Sequence, residues 1–375
     1  MGLTISHNSA LRATRILRAN GEDLRLMTNV SIVQPSTWVG KRWSMKEFLS
    51  DKWKWDRPRV ACPLHVIVAN ASHRIRMQHV ICHVQSMDMP SNSFVWLDEF
   101  ARMSSPEYLF VQMAESLSLP ELVLFGHELC GNFTRSAGNP VHGKVIDHVP
   151  PATDTDQLRQ FIRGAKTTSG VAKARQALDY VSDYAVSVPE AVLATIYSLP
   201  QAELGYGMGP VRLNQRVQVT DDEDAEQNED EDDREARTRY PDLLFSFAPI
   251  GINYDGEDHL DLKGLVESAK AHAIAATGTE TALQAEQELK EKLVAVRSKV
   301  VDDIRRNRQL ASKGKLVFPL TKEDLYGQNK LDNFTRRILS CAHTVFDTDI
   351  RPFMRGLDNS ALCRERNALL ESMLP

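Results

Sequence analysis

The stretch Tyr240–Asp255 constrains the fold of this chain most. LLFSF, a turn around Ala248-Pro249-Ile250, and IGINY read as two short strands joined as a hairpin. Between Asp261 and Gln309 nearly every residue favours helix, with a break near Thr277-Gly278-Thr279. Lys315–Leu320 (KLVFPL) is a further apolar strand, and Thr321 starts another helix. Upstream, Ser187-Val188-Pro189-Glu190 opens a helix by the N-cap and early-proline pattern. Helix, hairpin, helix, strand, helix is an α/β order, in which a mixed sheet carries helices.

A chain of 375 residues is long for one hydrophobic core, so two domains are expected. The first ~145 residues mix the two element types. Ser9–Ala19 has a helical pattern, with Leu11, Ile16 and Leu17 on one side and Arg12, Arg15 and Arg18 on another. Leu64–Ala69, His79–Val84 and Ser93–Leu97 read as strands of one small sheet. Ser105-Pro106 begins a helix, and a second runs from Glu121 to Cys130 and stops at Gly131. Gly138–Pro151 lacks periodicity and is expected to be a linker. Helical patterns return over Thr155–Arg163 and Ser169–Ser182. The expected division is residues 1–145, a helical linker over 146–186, a second domain over 187–345, and a tail over 346–375. Inside the second domain, residues 221–236 hold an acidic insert and 263–300 a helical insertion.

Net charge is −5, but Asp221–Asp233 alone carries ten acids and no base, which leaves +5 for the remainder. The acidic run can bury nothing and is expected to be disordered. No apolar run approaches the ~20 residues of a membrane-spanning helix, so no membrane association is expected. Five scattered cysteines fit a reducing cytoplasm. Cys62-Pro-Leu-His65 and His79-Val-Ile-Cys82-His83 have ligand-like spacing. Both lie in alternating β patterns, where cysteine commonly serves as a small buried hydrophobe.

The hairpin also concentrates chemistry. Asp242 sits where its first strand begins, and Asn253 and Asp255 sit where the second ends, on one face by period-two geometry. Three oxygen-bearing side chains then meet at one sheet end, a seat for a hard cation such as Mg²⁺, with Mn²⁺ as a substitute. Such an ion polarises a phosphodiester and lowers the pKa of an attacking water. His259 is placed to shuttle a proton.

The string PDL…INYDGEDH, followed by Asp303-x-x-Arg306-x-x-x-Leu310-x-x-x-Gly314 and LVFPL, resembles the very-short-patch-repair-like endonuclease family of the PD-(D/E)XK superfamily. Ser187-Val188-Pro189-Glu190 is similar to that family's S-P-x-E helix, and Arg239 fills the arginine of its R-x-PD motif. The resemblance covers about residues 187–330. It implies a restriction-endonuclease-like domain that cleaves DNA, with Asp242, Glu190 and Asn253 on the metal. Asp255 stands where the superfamily usually has lysine, His259 is the acid–base group, and Arg239 and Arg306 contact DNA. The family's metal-binding glutamate is Asn253 here, and a neutral amide oxygen binds divalent ions less well than a carboxylate. A catalytically inactive regulator of antitoxin or DNA-binding type is therefore the alternative. An interaction protein built around the 263–309 helices is a third reading.

The N-terminal half is similar to the core of AbiEi-family antitoxins, through Ser6-His7-Asn8-Ser9-Ala10, PLHVIV and Ser104-Ser105-Pro106-Glu107…Gln112-Met113-Ala114. This implies a small α/β antitoxin-like module that recognises DNA or a protein partner. Glu107 replaces the family's usual arginine. Trp38, Trp43, Trp53 and Trp55 are interleaved with bases including Lys52 and Lys54, a pattern able to follow a phosphate backbone and stack bases. The same pattern also arises when core tryptophans are fringed by solvated bases.

Overall fold

The computed structural model describes residues 3–29, 63–85, 89–98, 101–136, 142–165, 168–219, 238–256, 262–274, 280–327 and 329–374. They form a mixed α/β protein that divides into two compact units, Met1–Leu213 with Ala368–Pro375, and Asn214–Asn367. No helix among the described residues is long and apolar enough to cross a membrane.

The first unit is built on a five-stranded sheet of order β3-β2-β1-β5-β4. Its strands are β1 (Leu3–Ile5), β2 (Leu64–Val68), β3 (Val80–Val84), β4 (Phe94–Trp96) and β5 (Ala101–Ser104). β1 lies parallel to β5 and antiparallel to β2, while β2 and β3 run parallel. β1 and β5 each feed directly into a helix, α1 (His7–Ala19) and α2 (Pro106–Met113). α3 (Leu119–Cys130), α4 (Thr155–Gly164), α5 (Val171–Leu178) and α6 (Val188–Ser198) complete its helices.

Local chemistry sets several helix starts. The hydroxyl of Ser105 accepts from the Tyr108 N–H, and Asp154 caps α4 through Gln157 N. Ser118 and Glu121 form a reciprocal capping box on α3. Such caps contribute about 1 kcal/mol each. Leu109, Phe110, Leu122, Phe125, Leu158, Phe161 and Ala174 share one core with β1 and β2.

Three expectations change. Residues 145–147 are not linker but β7 (Val145–Asp147), paired antiparallel with β6 (Phe133–Arg135). α4 and α5, expected to be a linker, bury Leu158, Phe161, Ile162 and Leu178 in the same core, and the unit continues through β8 (Arg212–Leu213). In α1, Arg15 and Arg18 are 2% and 0% exposed, whereas Ile16 and Leu17 are only half-buried. The reason is Glu128 on α3: it takes a bidentate pair from Arg15 at 2.8 and 2.6 Å, and Arg18 binds the carbonyls of Glu128, Gly131 and Pro150.

In the second unit β9 (Val217–Gln218) pairs with β10 (Thr238–Arg239), and β11 (Leu243–Leu244) with β12 (Ile250–Asp255). β12 runs parallel to β13 (Leu316–Thr321) over six residue pairs. The connection is α7 (Leu262–Ile274) and the 33-residue α8 (Glu280–Ser312). Ser268 bonds Glu288 and Lys292 bonds the Gly264 carbonyl, so the two helices lie antiparallel as a helical hairpin. Leu310 is fully buried against Val217, Val219 and Leu244, which docks the end of α8 on the sheets. α9 (Lys322–Leu325), α10 (Lys330–Phe346), α11 (Arg351–Asp358) and α12 (Ser360–Met373) follow, so the region expected to be a tail is largely two helices. Arg366 on α12 is tied to Asp332 on α10 by a buried ion pair at 2.6 Å. The acidic segment 221–236 lies outside the described residues.

α8 ends at Gly314. Its φ is +70°, its N–H reaches the Ala311 carbonyl, and Lys315 N–H reaches Leu310. A Cβ there meets nothing within 4 Å, so the cost of a side chain is purely conformational. Gly314→Ala is expected to lower unfolding stability by about 1 kcal/mol, with Gly314→Asn costing less. Urea unfolding of the two variants checks this, and equal costs would contradict it.

Candidate functional site

Asp242 and Asn253 meet across the hairpin. β11 and β12 pair Leu243 with Ile252 in antiparallel register, which sets residue 242 opposite residue 253. Asn253 is 2% exposed; its Oδ1 accepts from Asp242 N at 3.2 Å, and Asp242 Oδ2 accepts from Tyr254 N at 2.6 Å. The two side chains thus clamp each other's strand. Asn253 Nδ2 is buried and has no hydrogen-bond partner. Asp255 is half-buried on the same face as Asn253, level with Thr321 of β13.

The other expected residues are distributed differently. Glu190, in the first unit, is an N-cap partner: its carboxylate accepts from Ser187 Oγ and Val186 N, while Ser187 Oγ accepts from Glu190 N. Arg239 donates to Gln309 at 2.8 Å and to Asp302 at 3.1 Å, tying β10 to α8. Arg306 pairs with Asp303 at 3.1 Å along α8, with its Nε buried and unpartnered. Of the Asp303…Gly314 motif, Leu310 and Gly314 therefore serve packing and helix termination. His259, Lys52 and Lys54 lie outside the described residues, as do the four tryptophans interleaved with the bases. Among the described residues, no group of three or more His, Cys, Asp or Glu is placed to hold a metal ion.

Two clusters in the first unit were not assembled by sequence reasoning. One is the buried Arg15–Glu128 pair with Arg18 and Arg135 around it. Glu128 also accepts from Thr134 Oγ1 and from Arg135 N. Burial pushes its carboxyl up, but Arg15, Arg18 and Arg135 outweigh that and hold it below the usual range. The other is a stack of imidazoles. His7 and His83 lie face to face at 3.5 Å between ring centroids, and His65 Nδ1 is 2.9 Å from His83 Nε2. The register explains the second contact: β2 and β3 pair Ile67 with His83, so residues 65 and 83 share a face as diagonal neighbours. Burial lowers all three imidazoles, His7 to about 3 and His65 to about 4, with the neighbouring histidines lowering those two further. The signal available in the sequence was the alternation in HVIV and VICHV, which fixes the face but not the pairing partner.

No protein-family model matches the chain, and neither a curated protein nor a solved structure matches it.

Proposed function

We propose that the Asp242–Asn253 corner is a PD-(D/E)XK-like site for Mg²⁺-dependent cleavage of DNA phosphodiester bonds, within a cytoplasmic protein. The observation that carries this reading is the convergence of Asp242 and Asn253 at one end of a sheet whose next strand, β13, returns in parallel.

The donor set fits an Mg²⁺ ion held weakly. Asp242 contributes a carboxylate and Asp255 stands two residues beyond Asn253 on the same face. The Asn253 oxygen is neutral and already accepts from Asp242 N. When bound, Mg²⁺ supplies the charge that polarises a phosphodiester. Asp242 orients the site by holding Tyr254 N, and Arg239, fastened to α8, fixes the strand that leads into it.

The Asn253 clamp also supports a second reading, a nuclease fold that binds DNA without cutting it. An amide that brackets the backbone does the structural work of this position without a second negative charge. A nicking assay on supercoiled plasmid with Mg²⁺ or Mn²⁺ separates the two. Cleavage by the wild type that falls to background in Asp242→Ala supports the nuclease. Cleavage only in Asn253→Glu identifies a decayed site on an intact scaffold. No nicking by any of the three proteins overturns the nuclease reading. DNA binding is then measured against salt, because phosphate contacts weaken steeply with ionic strength. Salt-independent binding, or none, overturns the second reading as well.

A further inference from the structure

The amino end of α1 lacks a side-chain cap. Ser6 occupies its N-cap position, yet its side chain makes no capping hydrogen bond, and the first turn holds no acidic residue. Ser6 is fully buried and its Oγ has no hydrogen-bond partner. His7 follows with φ +48°, in the left-handed region that side chains rarely adopt, and its Nδ1 is likewise buried and unpartnered. Gln112, 3% exposed on α2, aims its amide at the same place. Its Oε1 accepts from His7 N at 3.1 Å, and the amide also interacts with the Tyr108 phenol.

These groups sit where β1 ends, next to the end of its parallel neighbour β5, from which α2 departs. α1 and α2 contact each other, so both leave to one face of the sheet and their amino ends lie side by side. The helix amino terminus adds a partial positive charge, with His7 N held by Gln112 and the Ser9 and Ala10 N–H groups by the Ser6 carbonyl. Among the described residues, the charged groups acting on the three imidazoles are one another and Arg12. Hydroxyl, amide and imidazole groups able to donate hydrogen bonds around a positive helix end match a tetrahedral oxyanion. Beside them, His65 and His83 are partly exposed and stack with His7, a surface on which a nucleobase continues the stack.

We propose that the amino end of α1 is a phosphate-binding site, in which Ser6, His7 and Gln112 hold the phosphate group of a small ligand beside the His7–His83–His65 stack. The site lies in the first unit and is independent of the nuclease reading.

Isothermal titration of the full-length protein with inorganic phosphate and with adenosine monophosphate, at constant ionic strength set by potassium chloride, tests it. Saturable one-to-one binding of both is expected. Adenosine monophosphate binding more tightly assigns the site to a nucleotide, and equal binding assigns it to the phosphate group alone. Ser6→Ala and Gln112→Leu are each expected to weaken binding about tenfold, the effect of losing a hydrogen bond to a charged group. Asp242→Ala is expected to leave it unchanged. Should Gln112→Leu fail to fold, Ser6→Ala and the perturbation of His7, His65 and His83 imidazole resonances by phosphate decide the matter. Absence of saturable binding, or binding that Ser6→Ala leaves intact with no histidine resonance moving, overturns the proposal.

Discussion

Glu128→Gln is expected to lower the stability of the protein by about 3–5 kcal/mol, the cost of removing one partner from a buried ion pair. Glu128 is 2% exposed, and its two carboxylate oxygens receive Arg15 Nε, Arg15 Nη2, Thr134 Oγ1 and Arg135 N. Without its charge, the guanidinium groups of Arg15, Arg18 and Arg135 remain buried together. Glutamine keeps the shape, so the loss reports charge and acceptors and not a cavity. For a unit of this size the melting temperature should fall by roughly 6–20 °C. The pH dependence has a definite sign. The folded-state carboxyl lies below its unfolded value, so its contribution is complete above about pH 4.3 and is lost as pH falls through the folded value. The gap between wild type and Glu128→Gln is therefore expected to narrow below about pH 4. Denaturant unfolding of both proteins from pH 7 to pH 3 measures it, and a constant gap would contradict this account.

Arg135→Met should act in the opposite direction. Arg135 is 1% exposed, and both Nη atoms are buried without a hydrogen-bond partner. Burial lowers its pKa, Glu128 works against that, and Arg15 adds to it. A guanidinium desolvated without partners destabilises the fold, and methionine fills much of the same volume without a charge. Stability is expected to rise by on the order of 1–2 kcal/mol. In the double variant Glu128→Gln/Arg135→Met, the cost of the glutamine should shrink, because one of the stranded cations is gone. Thermal unfolding of the two single variants and the double variant forms the cycle. A destabilised Arg135→Met, with additive behaviour in the double variant, would show that Arg135 is held by its surroundings.

Much of the local structure could be read from residue order. Ser105-Pro106 and Ser187-Val188-Pro189-Glu190 each carry a capping hydroxyl and an early proline, and both start helices where expected. The same serine-to-glutamate spacing fits two roles: Glu190 engages the Ser187 hydroxyl at the start of its own helix, while a metal-binding role comes from the family resemblance alone. β1 and β5 went unassigned because three or four residues are too few to show a period. β1 nevertheless lies in the middle of the five-stranded sheet, since pairing on both edges stabilises a segment that local preference alone would not select. Arg15 and Arg18 join Leu11 among the buried residues of α1, which went unforeseen because amphipathic reasoning assigns charge to solvent unless it knows of a buried carboxylate. Glu128 is more than a hundred residues away in the chain.

By itself, then, the sequence determined helix starts and stops, the Tyr240–Asp255 hairpin and the opposition of Asp242 and Asn253, because capping, turn chemistry and period-two alternation act over a few residues. Tertiary structure alone decided which charges are buried around Glu128, that β7 completes a ribbon where a linker was expected, and that His7, His65 and His83 stack. Those outcomes depend on strand register and on partners distant in the chain, and no local preference encodes either.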